Sequence, residues 1–397
     1  MTGEPKPANA ADLAGSNGEQ AALHNRGVVL RAIHRGAPIS RTEISRQSGL
    51  TKQAIARIAE KLIDEGLVVE ARRRHGLRGQ PAIELEINPS GCFSVGANID
   101  RDHLTIVAMD ATGAVRGRIH HESRFIMPDQ FVRLMREALA SFRHKGIIDE
   151  ARFAGIGIAI PDWLGEVPVI GFPQSYHAWT DFDIAGALAR LTRHPVFLDN
   201  DANAAAAGEL EFGLGRESRT FFYILASACL GGGLVLDGLQ HRGVARVSGE
   251  IGWLPTGVSG NGFGGGAQPL GKIFSLFLLY EYLRLHGIEA SEPKHLLTLD
   301  AKARALVSQW LREVSAPIAE AIVHIGMLID PDAILIGGRF PVRLIDELLL
   351  YVHEELERSG ADHPPVHRAA TSEDAAALGA ASMPLANMLM LRTADAA

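Results

Sequence analysis

The chain has 397 residues, 47% of them hydrophobic and 21% charged, and carries a net charge of −7. This length exceeds what one hydrophobic core normally organises, so two or three domains are expected. Two cysteines, Cys92 and Cys229, are too few for a disulfide scaffold and favour a reducing cytoplasm. There is no run of about 18 apolar residues that would predict a membrane span. Residues 1–22 lack the pattern of a secretory signal and are expected to form a disordered arm.

A helix-turn-helix is expected in residues 39–69. Ser40 and Glu43 have the spacing of a capping box, in which each side chain bonds a backbone amide at the start of a helix. Gly49 supplies the turn that follows this short helix, and Thr51 can cap a second helix. An additional helix over 26–35 would complete a three-helix core.

The second helix of this pair has one apolar and one polar face. Apolar residues recur at helical spacing and are expected to face inward, namely Ile55, Ile58, Ala59 and Leu62. Gln53 and Arg57 lie four residues apart on the outer face, near the helix N-terminus. Glutamine can pair with adenine and arginine with guanine in a major groove. The alternative is a solvated helical hairpin whose charges face only water.

A basic loop between two strand-like segments follows the helices. Val68 and Val69 precede the loop, and apolar residues alternate with polar ones after it, at Ile83, Leu85 and Ile87. The loop contains four arginines: Arg72, Arg73, Arg74 and Arg78. This order is typical of a winged helix, in which Arg78 can enter a narrow minor groove while the arginine triplet contacts phosphates.

The charge of this segment differs from that of the rest of the chain. Residues 23–80 contain 12 Lys and Arg against 5 Asp and Glu, although the whole chain is acidic. A basic segment on an acidic body is the electrostatic pattern of a DNA-binding module fused to another domain. We therefore predict a winged helix-turn-helix domain over residues 23–88.

Strands, glycine turns and helices alternate beyond residue 89, and the alternation then repeats. Strands are predicted over 92–99, 104–110, 114–123, 153–160, 196–198, 221–226, 234–236 and 333–336. A glycine turn is predicted at 231–233. Helices are predicted over 131–144, 201–212, 268–286, 302–329, 341–359 and 375–390. Two similar α/β lobes with a cleft between them are the simplest architecture for this pattern.

Five motifs of this body occur in an order typical of one family. They are GIGIAIPD (155–162), LDNDANAAAAGE (198–209), GGGLVLDG (231–238), SGEIGW (248–253) and IDPDAILIGG (329–338). Together with the winged helix, they resemble the transcriptional repressors of the ROK family, from about His24 to the end of the chain. The resemblance implies an actin-like, hexokinase-like body of two ribonuclease-H-type lobes. The first lobe would cover residues 89–205, completed by 375–397, and the second would cover 206–374.

The family includes sugar kinases, whose phosphate loops are altered in this chain. The first loop reads Asp-x-Gly-Gly-Thr in the kinases and Asn98-Ile99-Asp100-Arg101-Asp102 here. The second reads Gly-Thr-Gly-Ile-Gly-Gly-Gly in the kinases, whereas residues 227–233 here read SACLGGG. Charged side chains in place of glycines keep the backbone away from phosphates. We therefore expect no ATP-dependent phosphorylation and no cofactor.

The family's zinc site is also altered. Trp253 stands at the position of its histidine, and residues 260–266 contain none of its cysteines. Tetrahedral zinc needs about four Cys or His ligands, so no structural zinc is expected. Trp253 would either stack on a sugar or fill the space that the zinc site occupies elsewhere.

The sugar pocket that the resemblance implies is partly kept. Asn200, Asp201 and Glu250 match residues that bind sugar hydroxyls, and Asp201 would be the general base in a kinase. Asp162 replaces the usual glycine after Pro161. Two alternatives stay open: Asn200 and Asp201 could serve only as a helix cap, and the nearby residues Tyr176, His177 and Trp179 either line the cleft or simply pack.

These features predict a repressor of carbohydrate-utilisation genes that acts as a homodimer or homotetramer. The residues expected to bind double-stranded operator DNA are Arg41, Thr51, Lys52, Gln53, Arg57, Arg72, Arg73, Arg74 and Arg78. Those expected to bind a sugar or sugar derivative are Asp162, Asn200, Asp201, Glu250 and Trp253. The alternatives are a sugar kinase with a fused DNA-binding domain, and a regulator controlled by a protein partner.

Overall fold

The computed structural model describes residues 18–71, 83–167, 169, 171–245, 247–259 and 267–390. The chain divides into two compact units, one of residues 1–92 with 385–397 and the other of residues 93–384. The boundary between the units therefore follows Cys92 and not residue 88. None of the described helices combines the length and the apolar character that crossing a bilayer requires.

In its described residues up to 92, the first unit contains three helices and a three-stranded antiparallel sheet in the order β1-β3-β2. Its elements are α1 (Gly18–Gly36), β1 (Ile39–Ser40), α2 (Arg41–Ser48), α3 (Lys52–Asp64), β2 (Val68–Glu70) and β3 (Glu84–Ile87). The expectation of an arm up to residue 22 and a helix from residue 26 was wrong, because α1 already begins at Gly18. Glu19, Gln20 and Ala21 are good helix formers, which explains the earlier start.

Local capping sets the ends of α2 and α3. The side chains of Ser40 and Thr51 each accept a hydrogen bond, at 3.2 Å, from the backbone amide three residues ahead, and Gly49 adopts a left-handed φ of +70°. The second hydrogen bond of the predicted capping box, from the backbone amide of Ser40 to the side chain of Glu43, is not formed, so that part of the prediction is wrong. Glu43 instead accepts a hydrogen bond from Arg46 at 3.2 Å, because Ser40 is itself a strand residue paired with Glu84.

The core of the first unit comes from α1, α2 and α3 and from all three strands of the sheet, including Ile39 of β1. Its fully buried side chains include Val29, Leu30, Ile33, Ile44, Ile55, Ala59, Leu62, Val68 and Leu85. The face of α3 that was predicted to point inward is buried at Ile55, Ala59 and Leu62 and half-buried at Ile58. Arg26 of α1 donates two hydrogen bonds to Glu65, at 3.0 and 2.6 Å, which fixes α1 against the end of α3.

The second unit is built on two five-stranded sheets with the same order of strands. The first sheet contains β4 (Phe93–Ile99), β5 (His103–Asp110), β6 (Val115–Glu122), β7 (Phe153–Ile160) and β8 (Val196–Asn200), in the order β6-β5-β4-β7-β8. The second contains β9 (Phe221–Ala226), β10 (Leu230–Leu236), β11 (Leu239–His241), β14 (Ala333–Gly338) and β15 (Val366–Arg368), in the order β11-β10-β9-β14-β15. In each sheet three antiparallel strands are followed by two parallel ones. We call the parts built on these sheets the first and second lobes.

Helices cover the sheets and connect the strands. They are α4 (Pro128–His144), α5 (Ile184–Ala189), α6 (Asp201–Phe212), α7 (Leu276–Leu285), α8 (Pro293–Leu297), α9 (Ala301–Ile329), α10 (Val342–Ser359) and α11 (Ala375–Met390). A small hairpin of β12 (Pro255–Ser259) and β13 (Ala267–Pro269) precedes α7. The expected division of the lobes after residue 205 falls inside α6.

Two sequence predictions in the second lobe were wrong. The glycines at 231–233 lie within β10 and do not form a turn. Glycine is needed there because α6 crosses the sheet so closely that a Cβ on Gly233 would lie 2.5 Å from the carbonyl oxygen of Ala202. The helix predicted from residue 268 begins only at Leu276, capped by Ser275, since residues 267–269 form β13.

The start of α11 lies on the first sheet. Ser94 of β4 donates a hydrogen bond from its hydroxyl to the carbonyl oxygen of Ala381 at 2.7 Å. A Cβ on Gly96 would collide with the backbone of Ala377, and one on Gly157 with that of Ala380. Small residues on both elements therefore allow this helix to contact the sheet backbone directly.

Candidate functional site

A cavity of about 160 Å³ lies between the two lobes. This volume has room for roughly ten water molecules. First-lobe residues that line it include Arg101, Asp162, Trp163, Asn200 and Asp201, and second-lobe residues include Cys229, Glu250, Trp253 and Lys272. All five residues that the sequence predicted to bind the effector are thus brought together.

Asn200 caps a helix and also faces the cavity. Its Oδ1 accepts a hydrogen bond from the amide of Asn203 at 3.0 Å, while its Nδ2 donates to Oδ2 of Asp162 at 3.1 Å. Asp201, the first residue of α6, accepts a hydrogen bond from the amide of Ala202 at 2.8 Å and is buried. The loop after β7, the end of β8 and the start of α6 therefore place an amide and two carboxyl groups at one wall.

The carboxyl groups of the cavity are harder to ionise than usual. Burial raises the pKa of Asp201 well above its ordinary value; the charge of Asp100 adds to the effect and Arg101 opposes it. Burial also raises the pKa of Glu250 and of Asp162, and Asp162 adds to the shift of Glu250. A protonated carboxyl group can both donate and accept a hydrogen bond, which suits the hydroxyl groups of a sugar.

Two tryptophans expose their rings at the cavity. Trp253 is 55% exposed and Trp163 is 39% exposed. Trp253 therefore does not fill an internal hole, and the stacking interpretation is favoured. Trp163 was not selected from the sequence, where its only signal is its position directly after the GIGIAIPD motif. Its backbone has a φ of +53°, which is rare and strained for a bulky residue and marks functional positions more often than others.

The aromatic residues of the loop at 176–179 serve packing. Tyr176 and Trp179 are buried, and Trp179 donates a hydrogen bond from its indole nitrogen to the carbonyl oxygen of Ile126 at 2.8 Å. His177 donates a hydrogen bond from Nδ1 to the carbonyl oxygen of Gly165 at 2.7 Å. Since none of the three residues lines the cavity described above, the packing alternative is the correct one.

The loops that hold phosphates in kinases bond to groups of the chain itself. In the β4–β5 turn, the amide of Asp100 donates to the carbonyl oxygen of His103 at 3.0 Å, and the amide of Arg101 donates to the carboxylate of Asp100 at 2.7 Å. In the β9–β10 turn, the amide of Ser227 donates to the carbonyl oxygen of Cys229 at 3.0 Å. These amides are thus already used, whereas a phosphate cradle needs them to point at the ligand.

A buried charge cluster joins the lobes beside these turns. Nη1 of Arg339, which follows β14, lies 2.5 Å from Oδ2 of Asp102, and its Nη2 lies 2.5 Å from Oε1 of Glu122. Asp102 also contacts Nδ1 of His103 at 2.7 Å. Ligand atoms of Asp100, Asp102 and His103 lie within 4.8 Å of one another, as in a metal site, but Arg339 already neutralises Asp102 there. No sequence motif pointed to Arg339.

The outer face of α3 presents the residues that were predicted to contact base edges. Lys52, Gln53 and Arg57 are exposed, and Thr51 is exposed at the cap. Arg41 is half-buried and pairs with Glu70 at 3.2 Å, so contact with DNA would require it to leave this partner. The predicted loop residues Arg72, Arg73, Arg74 and Arg78 lie outside the described residues, as does the glycine-rich stretch 260–266.

Comparisons with known proteins agree with this arrangement. A MarR family model matches residues 26–79, and a ROK family model matches residues 95–386. The xylose repressor of Bacillus spizizenii is 26% identical over 236 residues, covering 59% of this chain and 61% of that protein. The DNA-binding transcriptional repressor Mlc of Escherichia coli is 23% identical over 332 residues, covering 79% of this chain and 80% of that protein.

Among solved structures, a ROK family transcriptional regulator described as a homolog of the E. coli MLC protein superposes with a TM-score of 0.67. It is 22% identical and covers 94% of this chain and 98% of its own. The predicted fold class, a winged helix-turn-helix followed by a two-lobed α/β body, is confirmed. Because the ROK model covers well over half of the chain, this protein is a member of the ROK family.

Proposed function

We propose that this protein is a DNA-binding transcriptional repressor of carbohydrate-utilisation genes whose cleft binds a sugar or sugar derivative. The observation that carries the proposal is the contrast between two parts of one cleft. Asp162, Asn200, Asp201 and Glu250 line one cavity with carboxyl and amide groups, whereas the neighbouring phosphate loops bond to the chain itself. Such a cleft can bind a sugar, but it has lost the means to phosphorylate it.

The similarity to repressors supports the same conclusion. The xylose repressor and Mlc are named for transcriptional repression, and the matched region covers less than two thirds of the xylose repressor. The winged unit supplies the DNA-binding part of the proposal, with Gln53 and Arg57 reading bases in the major groove. Arg72, Arg73, Arg74 and Arg78 would add phosphate and minor-groove contacts.

We further propose that the sugar acts by changing the closure of the two lobes. In a homodimer or homotetramer, that change would alter the spacing of paired winged units and so their fit to two operator half-sites. A ligand can shift this equilibrium only by its difference in affinity for the two states. Operator affinity should therefore depend on the sugar concentration.

A thermal-shift screen tests the binding part of the proposal. The panel contains neutral monosaccharides, polyols and sugar phosphates, with Mg-ATP alone and together with each sugar. A ligand that binds the folded state raises the melting temperature by mass action. We expect a sugar to produce a shift that Glu250→Ala abolishes and that Glu137→Ala, at an exposed position of α4, leaves unchanged.

Two results would contradict the proposal. The absence of any shift across the panel would direct the search to a protein partner as the controlling signal. Transfer of phosphate from ATP to a sugar, lost in Asp201→Asn, would restore the kinase alternative. The latter assay is informative because Asp201 occupies the position of the general base in the kinases that the chain resembles.

A further inference from the structure

Two buried arginines lie beside the altered phosphate loops, and they differ in how they are paired. Both terminal nitrogens of Arg339 have a carboxylate oxygen at 2.5 Å. Among the described residues, the guanidinium of Arg101 has a single partner, Oδ1 of Asp100, at a long 3.4 Å. Nε is buried and without a partner among the described residues in both arginines, so the difference lies at the terminal nitrogens. Arg339 is thus a well-paired structural charge, whereas Arg101 is not.

Neighbouring acids do not complete the pairing of Arg101. Asp100 uses Oδ1 for the backbone amide of Arg101 at 2.7 Å and Oδ2 for the hydroxyl of Ser227 at 2.9 Å. Asp201 accepts its hydrogen bond from Ala202, and in the described part of the chain it makes no ion pair with Arg101. A guanidinium that is 3% exposed and held by one long contact retains most of its capacity to bind an acceptor.

Arg101 lies at the wall of the cavity, where its free hydrogen-bond donors can reach a ligand. It lines the space together with Asp201 and Cys229. The same lining contains Glu250 and the hydrogen-bonded pair of Asn200 and Asp162. The cavity therefore presents carboxyl and amide groups for hydroxyls as well as a buried cation. Lys272, whose side chain is exposed, adds a second cation to the lining.

We infer that the effector is an anionic sugar derivative whose carboxylate or phosphate group is bound by Arg101, with its hydroxyl groups directed to Asp162, Asn200 and Glu250. This inference rests on the proposed function of the cleft as a sugar site. A planar guanidinium offers paired N–H donors that match two oxygens of a carboxylate or phosphate, and such charge-assisted bonds are stronger than neutral ones. A neutral sugar would leave the buried charge without that partner.

Calorimetric titration of the full-length protein tests the inference with matched probes. Glucose, galactose and xylose are each compared with the corresponding sugar acid and sugar phosphate. We expect one acid or phosphate to bind about ten-fold or more tightly than its neutral parent, which is the effect of one charged hydrogen-bonded contact. Whether the acid or the phosphate binds more tightly identifies the anionic group.

Variants at Arg101 test whether this residue causes the preference for the anion over its neutral parent. Arg101→Gln should bind the anion and its neutral parent with similar affinity, and Arg101→Lys should keep part of the preference. Arg133→Gln, which changes an exposed arginine of α4 by the same substitution, should bind as the wild type does. If Arg101→Gln does not fold, the wild-type protein still provides a test, because its preference for the anion over the neutral parent is measured without any variant.

The outcomes separate this inference from the proposed function. Equal affinity of the neutral parent and its anions would overturn the inference and leave the sugar site intact. A preference that persists in folded Arg101→Gln would overturn it as well. If no sugar in the panel binds, charged or neutral, the proposed sugar site fails and the inference fails with it.

Discussion

Nη1 of Arg339 lies 2.5 Å from Oδ2 of Asp102, and each side chain is only 2% exposed. The pair joins the β4–β5 turn of the first lobe to the end of β14 in the second. By family resemblance, the β4–β5 turn is where a kinase would hold phosphate. An internal ion pair therefore connects the two lobes beside the position where, by the same resemblance, a kinase would bind a nucleotide.

Removing Arg339 should strongly destabilise the second unit. Arg339→Gln leaves Asp102 and Glu122 without their shared cation, and breaking a buried pair in this way costs about 3–5 kcal/mol. Denaturant unfolding measures the change. Arg343→Gln, at an exposed position at the start of α10, is the control and should have little effect. A loss below about 1 kcal/mol for Arg339→Gln would show that the cluster is not a structural connection.

The same pair predicts a loss of stability in acid. Burial alone would raise the pKa of Asp102, but His103 and Arg339 outweigh it and lower the pKa from 3.8 to about 2. The contribution is therefore complete above about pH 4, the ordinary range of an aspartate, and is lost as the pH falls towards 2. Its magnitude is about 2 kcal/mol.

Unfolding of the wild type and of Asp102→Asn across this pH range measures the contribution. The stability difference between the two proteins should shrink as the pH falls from about 4 to 2. A difference that stays constant over that interval would mean that Asp102 does not titrate with a lowered pKa in the folded state.

Trp253 should contribute to ligand binding and not to folding. Its ring is 55% exposed at the cavity, so Trp253→Ala should change the melting temperature little while weakening sugar binding by about 1 kcal/mol, the scale of one aromatic contact. Trp179→Ala is the comparison variant, in which folding and not ligand binding should be affected. That ring is 5% exposed and packed, and its removal should cost about 3–5 kcal/mol of folding free energy. Unchanged sugar affinity in Trp253→Ala would exclude the stacking role.

Arg57 should read a base, whereas Arg73 should contact the phosphate backbone. Arg57→Ala is expected to cost about 1–3 kcal/mol at the operator and to relax specificity at one base pair. Arg73→Ala should weaken binding to all DNA sequences alike. Fluorescence anisotropy with operator and scrambled duplexes measures both effects, with Arg133→Ala in the other unit as the control. Equal losses on the two duplexes for Arg57→Ala would remove it from base recognition.

Elements with local determinants could be predicted from the sequence. Helices α2 and α3 were located to within a residue or two because Ser40, Gly49 and Thr51 set their ends through nearby backbone groups. Strand β7 was predicted with its observed ends, since its apolar run is bounded by Pro161. The repeated alternation of strands and helices likewise predicted two similar α/β lobes, and both lobes contain a five-stranded sheet.

Features that depend on distant partners could not be predicted. Glycines 231–233 looked like a turn because the sequence does not show that α6 passes against them. Arg339 and Asp102 are 237 positions apart, so no local pattern joins them. Arg101 was recognised as an obstacle to phosphate binding, but its incomplete pairing inside the cavity is visible only when Asp100, Ser227 and Asp201 are placed around it.

The most direct test of the proposed function is the affinity of the full-length protein for DNA from upstream of its own gene, measured while a sugar that binds the cleft is added. We expect specific binding that weakens by about ten-fold or more at saturating sugar, the scale of a typical coupling between two sites. Glu250→Ala should bind the DNA normally and lose this response. Operator affinity that no cleft-binding sugar changes would contradict the account of a sugar-responsive repressor.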